Sequence, residues 1–332
     1  MSSNNESILV FGGAGYIGSH VVLHLCEEGY DVTVFDNLST GLEINVDNRA
    51  KFIQGDILDQ NDLSNIFQYN YGSVFHFAAL KSAGESMLEP EKYATANIVG
   101  TINILNQMVK KEIQTFVFSS TAAVYGMPEY LPIDENHPLK PINFYGFTKF
   151  EIERLLQWYS DLKGIYFGAL RYFNAYGPRQ YMSNPYTGVM AIFLSRLKND
   201  NAPVIYEDGL QTRDFVSVHD IVQANMLAME KSEADYQTFN VASGNPVSIR
   251  EIAEVTALLL GKDIAPDITQ KFRKGDIRHC IGDISNIQKQ LGFAPKVSFE
   301  DGLKEIIEWS HDAEAKDMFE DASKELRDKG LM

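Results

Sequence analysis

Tyr145 and Lys149 stand four residues apart at the head of a stretch in which Ile152, Leu155, Leu156 and Tyr159 recur at helical spacing. Four apart on a helix means one face, one turn apart. An ammonium beside a phenol favours the phenolate, lowering a pKa that starts near ~10. Such a phenolate is a base for an alcohol proton near neutral pH. Tyrosine and lysine at this spacing are common on surface helices, so a third member decides the matter. Phe116-Val117-Phe118-Ser119-Ser120-Thr121 reads as a strand running into hydroxyl residues, and Thr121 can hydrogen-bond both the phenol and a substrate hydroxyl.

A second motif supplies an anion site. After the run at residues 8–11 comes Gly12-Gly13-Ala14-Gly15-Tyr16-Ile17-Gly18, opening a helical stretch. Gly12 allows a tight turn, Gly15 lets backbone approach a pyrophosphate, and Gly18 lets helix pack on strand. The pyrophosphate would rest on the positive end of the helix dipole beside Tyr16 and Ile17. The next strand ends at Asp36, about 20 residues on, where a carboxylate can accept from a ribose 2′-hydroxyl. It would repel the 2′-phosphate of NADP, and no arginine follows in Asn37-Leu38-Ser39-Thr40. NAD is therefore the expected cofactor. Asp56-Ile57, after a further strand, reads equally well as an adenine contact or an ordinary turn.

These residues require a particular scaffold. Runs at 8–11, 32–35, 74–77, 116–118 and 165–172 alternate with helical stretches such as 17–28 and 94–110. Strands alternating with helices predict right-handed crossovers and a doubly wound, parallel α/β sheet of Rossmann type, which binds ligands beyond the carboxyl ends of its strands. From Asn174 the texture changes to turn formers and aromatics, with irregular polar stretches at 199–209 and 261–275. The expected division is a dinucleotide-binding domain at 1–174 and a smaller mixed α/β substrate lobe at 175–332, with part of 213–243 packing back on the first domain. The tail from His311 to Met332 reads as a charged surface helix with sparse apolar residues.

Composition narrows the class. A net charge of −16 repels a phosphate backbone, so nucleic acid is not an expected partner, although a local cluster of arginines can still hold a small anion. The opening residues lack a basic start and an apolar core, and no run approaches 18 apolar residues, so neither secretion nor a membrane span is expected. Cys26 and Cys280 form no pair-spaced motif, which favours free thiols in a reducing cytoplasm over a chance disulfide. His20 and His24 stand four apart with no third ligand evident, so no metal site is expected.

In combination, Gly12 to Gly18, Ser119-Ser120-Thr121 and Tyr145 with Lys149 resemble the extended short-chain dehydrogenase/reductase superfamily. His76-Phe77-Ala78-Ala79-Leu80-Lys81-Ser82-Ala83-Gly84-Glu85-Ser86 and Arg171-Tyr172-Phe173-Asn174 resemble, more narrowly, its UDP-glucose 4-epimerase branch, and the likeness runs from about Ile8 to Trp309. The resemblance implies that Thr121, Tyr145 and Lys149 are catalytic. It also implies that Ala78, Ala79, Lys81, Asn97 and Tyr172 join Gly12, Gly15, Tyr16, Ile17, Asp36, Asn37, Asp56, Ile57, Tyr145 and Lys149 around the cofactor. The implied reaction oxidises a nucleotide sugar at C4 with tightly bound NAD, turns the keto sugar over, and reduces it from the other face.

For the substrate half, Asp208-Gly209-Leu210-Gln211-Thr212-Arg213 and Phe272-Arg273-Lys274-Gly275-Asp276 look like the family's two pyrophosphate motifs. Two guanidiniums suit a diphosphate through bidentate hydrogen bonds. By the same resemblance Asp276 takes a ribose hydroxyl, Tyr206 stacks on the base, Asn174 meets the diphosphate-sugar region, and Lys81, Thr121 and Tyr145 face the sugar. Cys280 falls where some members carry a tyrosine against the sugar. Its small side chain implies room for an N-acetyl group, unless it is merely a small buried residue. Asn174-Ala175-Tyr176-Gly177-Pro178-Arg179-Gln180 and the 183–188 loop are shared with relatives acting on other nucleotide sugars, which leaves base and sugar open. The related 4,6-dehydratases place Asp-Glu after the catalytic threonine, whereas here Thr121 is followed by Ala122-Ala123, so dehydration is not expected. The alternatives are another nucleotide-sugar redox enzyme (a dTDP-sugar epimerase, decarboxylase or reductase) and a non-catalytic NAD-sensing regulator. A homodimer through helices at 94–110 and 147–162 is expected from the family.

Overall fold

The computed structural model describes residues 6–180, 189–271 and 277–310. Its first half runs β1 (Ser7–Phe11), α1 (Tyr16–Glu27), β2 (Asp31–Asp36), β3 (Lys51–Gln54), α2 (Gln60–Ile66), β4 (Ser73–His76), α3 (Ala83–Leu88), α4 (Pro90–Tyr93), α5 (Gly100–Lys110), β5 (Thr115–Thr121), α6 (Phe144–Lys163) and β6 (Tyr166–Tyr172). The second half adds β7 (Asn174–Tyr176), α7 (Val189–Lys198), β8 (Val204–Ile205), β9 (Thr212–Ser217), α8 (Val218–Glu230), β10 (Gln237–Val241), β11 (Pro246–Ser248) and α9 (Ile249–Leu259). Then come β12 (Asp267–Ile268), β13 (His279–Cys280), α10 (Ser285–Leu291) and α11 (Phe299–Trp309).

Seven strands form one parallel sheet in the order β3-β2-β1-β4-β5-β6-β10. Successive side chains along a strand face opposite ways, and here both faces are covered, which explains the continuous apolar runs. Ile8, Val10, Val32, Val34, Phe75 and Val117 pack with Val21, Leu25, Ile221 and Val222 of α1 and α8. Leu9, Phe11, Phe35, Val74, Phe116 and Phe118 pack on the other side with Leu63, Ile104, Met108, Ile152 and Leu156 of α2, α5 and α6. The chain winds outward one way from β1 and the other way from β4. Between those two strands lies the switch point at which such sheets bind ligands.

A second sheet holds β11, β9 and β13, with β7 pairing β9, and β8 pairs β12. Its core gathers Tyr176, Phe193, Leu194, Ile205, Phe215, Ile252 and Leu303. The stretches at 199–209 and 261–275, irregular in the sequence, contain the paired two-residue strands β8 and β12.

The helix expected at 94–110 is not uniform. Ala94–Val99 is π-helical and the α-helix proper begins at Gly100. The wider turn swings Asn97 inward, where it is buried, and such π-turns concentrate at functional sites.

Candidate active site

The glycine-rich turn closes on itself and on β4. Gly12 has φ +76°, and a Cβ there would lie 2.5 Å from the backbone nitrogen of Ala78. Gly18 would place a Cβ 2.3 Å from the Gly12 carbonyl oxygen, so helix α1 sits directly on the turn. Gly15 caps α1 with no side chain of its own, leaving the first helical N–H groups facing outward beside Tyr16 and Ile17. That is a cradle for a pyrophosphate.

Asp36 ends β2 and is nearly buried. Its Oδ2 accepts from the Ala14 N–H at 3.1 Å and its Oδ1 from the Leu38 N–H at 2.9 Å. Burial raises its pKa against these two bonds, and each oxygen retains a lone pair for a ribose hydroxyl. Asn37 donates to Asp56 Oδ2 at 3.1 Å, so an expected cofactor residue and the expected adenine contact are already joined. The Ile57 side chain reaches to within 2.4 Å of where a Cβ on Gly100 would stand, fixing that corner against α5.

Beyond β4 the chain carries Ala78, Ala79, Leu80 and Lys81 across the mouth of the switch point. Asn97 holds this loop: its Oδ1 accepts from the Leu80 N–H at 2.9 Å, and its Nδ2 donates to the Leu80 carbonyl and to Thr148 Oγ1, each at 3.0 Å. Both amide hydrogens are thereby committed to protein, and Thr148 in turn donates to the Tyr145 carbonyl. Lys81 is exposed at the loop's end. Tyr172, the expected cofactor residue on β6, is buried with its hydroxyl bonded to Asn225 of α8.

The expected catalytic residues converge at the carboxyl end of β5. Asn143 caps α6 by accepting from the Gly146 N–H at 2.8 Å, and Ser86 of α3 accepts from the Tyr145 N–H at 3.0 Å. Tyr145 is thus held at the helix start, with its hydroxyl beside the Thr121 side chain. Lys149 is 2% exposed, donates to the Ser119 carbonyl at 2.6 Å, and lies 4.6 Å from the Phe118 ring centre.

The charge states differ from what the spacing alone predicts. Burial pushes the Tyr145 phenol up to about 12, and the Thr121 hydrogen bond only partly offsets it. Burial also pulls the Lys149 ammonium down to about 7, with Glu153 opposing the fall. Dehydration of both groups outweighs their proximity, so the lysine alone does not make the phenolate.

In the second half of the chain one carboxylate gathers the segments expected on the substrate side. Asp214, fully buried, accepts from the Ser243 N–H and hydroxyl at 2.7 Å each, from the Gly244 N–H at 3.1 Å and from the Gly282 N–H at 3.3 Å. It therefore binds the loop after β10 and the chain after β13 to β9, whose Arg213 pairs in register with Cys280. Arg213 Nη1 donates to the Thr212 carbonyl at 2.9 Å, and Asn174 and Tyr206 are half-buried. Arg278 grips Asp208 with two bonds of 2.7 and 2.8 Å and reaches Glu207 at 2.7 Å. Arg273 and Asp276, the 183–188 loop and the tail from 311 lie outside the described residues.

Cys26 and Cys280 are free thiols. His20 is buried, with Nε2 3.0 Å from the Pro178 carbonyl, while His24 lies on the surface 3.9 Å from Glu27. Among the described residues no helix is long and apolar enough to cross a membrane.

A sequence profile of the GDP-mannose 4,6 dehydratase family matches residues 9–306. The chain belongs to this family, one of the extended short-chain dehydrogenases/reductases. Family membership also shows in solved structures. A UDP-glucose 4-epimerase of Thermotoga maritima with UDP-glucose is 39% identical, with a TM-score of 0.88 over 92% of this chain and 98% of that one. A UDP-N-acetylglucosamine 4-epimerase of Methanobrevibacter ruminantium in complex with UDP-N-acetylmuramic acid is 36% identical, with a TM-score of 0.87 and coverage of 92% and 98%. A UDP-glucose 4-epimerase of Thermus thermophilus complexed with NAD is 32% identical, with a TM-score of 0.85 and coverage of 93% and 100%.

Within the family frame, the turn after the threonine is informative. Ala122–Val124 forms a single 3-10 turn, capped by the Thr121 hydroxyl accepting from the Ala123 N–H at 3.2 Å, and it carries no acid. Several residues that position the site are absent from the spacing argument. Ser86 ends the 76–86 segment, and its bond to the Tyr145 N–H is visible only in three dimensions. Glu153 continues the 145–149 series by one more turn, a signal that the same helical arithmetic contains.

Proposed function

We propose that the chain is an NAD-dependent UDP-sugar 4-epimerase that interconverts UDP-glucose and UDP-galactose. The observation that carries this reading is the convergence of Thr121, Tyr145 and Lys149 at the end of β5, opposite the glycine-rich turn, with alanines where a dehydratase needs acids. Bound NAD would supply a reversible hydride acceptor and a positive ring that favours the Tyr145 phenolate. The residues fit that group: Gly12 leaves no room for a side chain against Ala78, the α1 N–H groups face outward, and Asp36 keeps one lone pair per oxygen. Gly15, Tyr16 and Ile17 would hold its pyrophosphate and Asp36 its adenosine ribose. Asn37, Asp56 and Ile57 would border the adenine. Ala78, Ala79, Lys81 and Tyr172 would line the remainder, with Asn97 fixing their loop.

Tyr145 takes the proton from the sugar hydroxyl and returns it, Thr121 orients that hydroxyl, and Lys149 supplies positive charge from below. In the second lobe Arg213 and Arg273 would clamp the diphosphate and Asp276 a ribose hydroxyl. Tyr206 would stack on the base, while Asn174 and Lys81 would reach the sugar-phosphate. The division at 174 makes 1–174 the cofactor domain and 175–332 the substrate lobe, with part of 213–243 returning to the first. Purified protein given UDP-galactose should yield UDP-glucose without added dehydrogenase, as read by chromatography. Failure to interconvert any nucleotide-sugar pair would favour a cofactor-sensing protein instead.

Cys280 gives the sugar pocket its width. Burial drives its thiol up to about 11, so near neutral pH it is a small uncharged group. We expect UDP-N-acetylhexosamines to be accepted as well. Cys280→Tyr should slow turnover of UDP-N-acetylgalactosamine at least about tenfold more than that of UDP-galactose, because the added ring overfills the space beside C2. Equal losses on the two substrates would remove Cys280 from the pocket.

A homodimer is the proposed assembly. Trp158 and Leu162 are 62% and 67% exposed, and with Phe147 they lie along one face of α6. Light scattering should give twice the chain mass, and Trp158→Glu should halve it; a native monomer at working concentration would refute the assembly. Two free thiols suit a cytoplasmic working place.

A further inference from the structure

Residues 145, 149 and 153 form one stripe on α6, and three consecutive residues of β5 meet it. The Thr121 side chain lies beside Tyr145, the Ser119 carbonyl accepts from Lys149, and the Ser120 hydroxyl donates to Glu153. Arg171, on the neighbouring strand β6, grips the same carboxylate through Nε at 3.0 Å and Nη2 at 2.6 Å. The side chains of this pair are 5% and 7% exposed. Arg171 Nη1 also donates to the Tyr125 hydroxyl at 2.9 Å, and Tyr125 donates to Asn240 at 2.6 Å. A buried ion pair is costly to dehydrate and is a weak source of stability. Its place one turn from Lys149 gives it another use.

We propose that Glu153 is a positioning residue acting through Lys149: its carboxylate, fixed by Ser120 and Arg171, keeps that side chain an ammonium inside an otherwise dry site. This rests on the reading of Lys149 as the cation that supports cofactor and phenolate. The ionisable groups around Lys149 are Tyr145 and Glu153 on α6, His76 on β4, and Arg171 and Tyr172 on β6. Burial drives His76 down to about 3, with Lys149 adding to the fall, so it is neutral. Burial drives the phenols of Tyr145 and Tyr172 up, so they are neutral as well. Burial lowers Lys149, and the Glu153 carboxylate opposes the fall. Without that carboxylate the ammonium would give up its proton at a lower pH than the native one does.

The test uses two variants and two readouts. Glu153→Gln keeps the shape and removes the charge, but it leaves Arg171 buried without a counter-ion. Glu153→Gln with Arg171→Met removes both charges and leaves no orphan. Protein stripped of cofactor is titrated with NADH by fluorescence across pH, and UDP-galactose turnover is followed over the same range, with melting curves to confirm folding. In Glu153→Gln the alkaline limb of each profile should move about one pH unit toward acid, and in the double variant, which also loses the Arg171 cation opposing the ammonium, it should move the same way by less. Glu153→Asp, which preserves charge and partner, should keep the native limb and so excludes a general loss of packing. A folded Glu153→Gln with the native limb would overturn the proposal, as would an equal shift in Glu153→Asp. If the native chain turns over no UDP-sugar, the epimerase reading falls, while the NADH titration still decides the role of Glu153.

Discussion

Tyr145→Phe should retain NAD as the native chain does and turn over UDP-galactose about a thousandfold more slowly. A positioned acid–base group contributes about 10²- to 10⁴-fold, and here no neighbour can replace it. Thr121 is an alcohol, His76 is buried in neutral form, and Lys149 is bonded to the Ser119 carbonyl. The substitution deletes one oxygen and leaves the backbone bond from position 145 to Ser86 intact, so the helix start should not shift. The native phenol is pushed up to about 12 by burial, which means that the base form depends on cations brought beside it. Stopped-flow or chromatographic rates with saturating substrate check this. A variant retaining more than about a tenth of the native rate would move the base elsewhere.

The second large effect concerns the turn below the cofactor. Gly12→Ala should destabilise the protein by about 3 kcal/mol and leave it unable to retain NAD through purification. The added methyl would lie 2.5 Å from the Ala78 nitrogen and 2.8 Å from the Phe77 carbonyl carbon, on a backbone already at φ +76°. Neither wall can retreat. Gly12 donates to the Phe35 carbonyl at 2.9 Å, Phe77 donates to the Phe11 carbonyl at 2.8 Å, and β4 is fixed between β1 and β5. Gly29 makes the control, because its φ is +84° yet a Cβ there meets nothing within 4 Å. Gly29→Ala should cost only the left-handed backbone term, about 1 kcal/mol. Thermal melting with and without NAD distinguishes the two. Similar losses in both would mean that crowding at the switch point is unimportant.

The first domain was legible because each of its signals is long or local. Mainly apolar runs of three to eight residues alternate with helical stretches, and both sheet faces are covered, so the pattern survives without knowledge of any contact. The glycine spacing and Asp36 needed only their place after a strand. The second lobe resisted because β7, β8, β11, β12 and β13 are two or three residues long, too short for any periodicity to register. The site divides the same way. Thr121, Tyr145 and Lys149 follow from residue type and spacing, whereas the partners that set their position and charge come from distant segments. Ser86 reaches Tyr145 across 59 residues, and Arg171 reaches Glu153 across 18. Spacing alone gives Lys149 a full positive charge, and burial, a quantity no spacing contains, lowers it.

The sheet of the first half is finished by β10, a strand written after β7, β8 and β9 have already built part of the other lobe. A gene cut at the apparent boundary would therefore yield a fragment ending on β6 with a raw, sticky edge, and lacking the α8 cover over one face. Recombination that trades one sugar pocket for another must exchange two separate stretches of coding sequence at once. Descent by single substitutions is the easier route to a new specificity in such a chain.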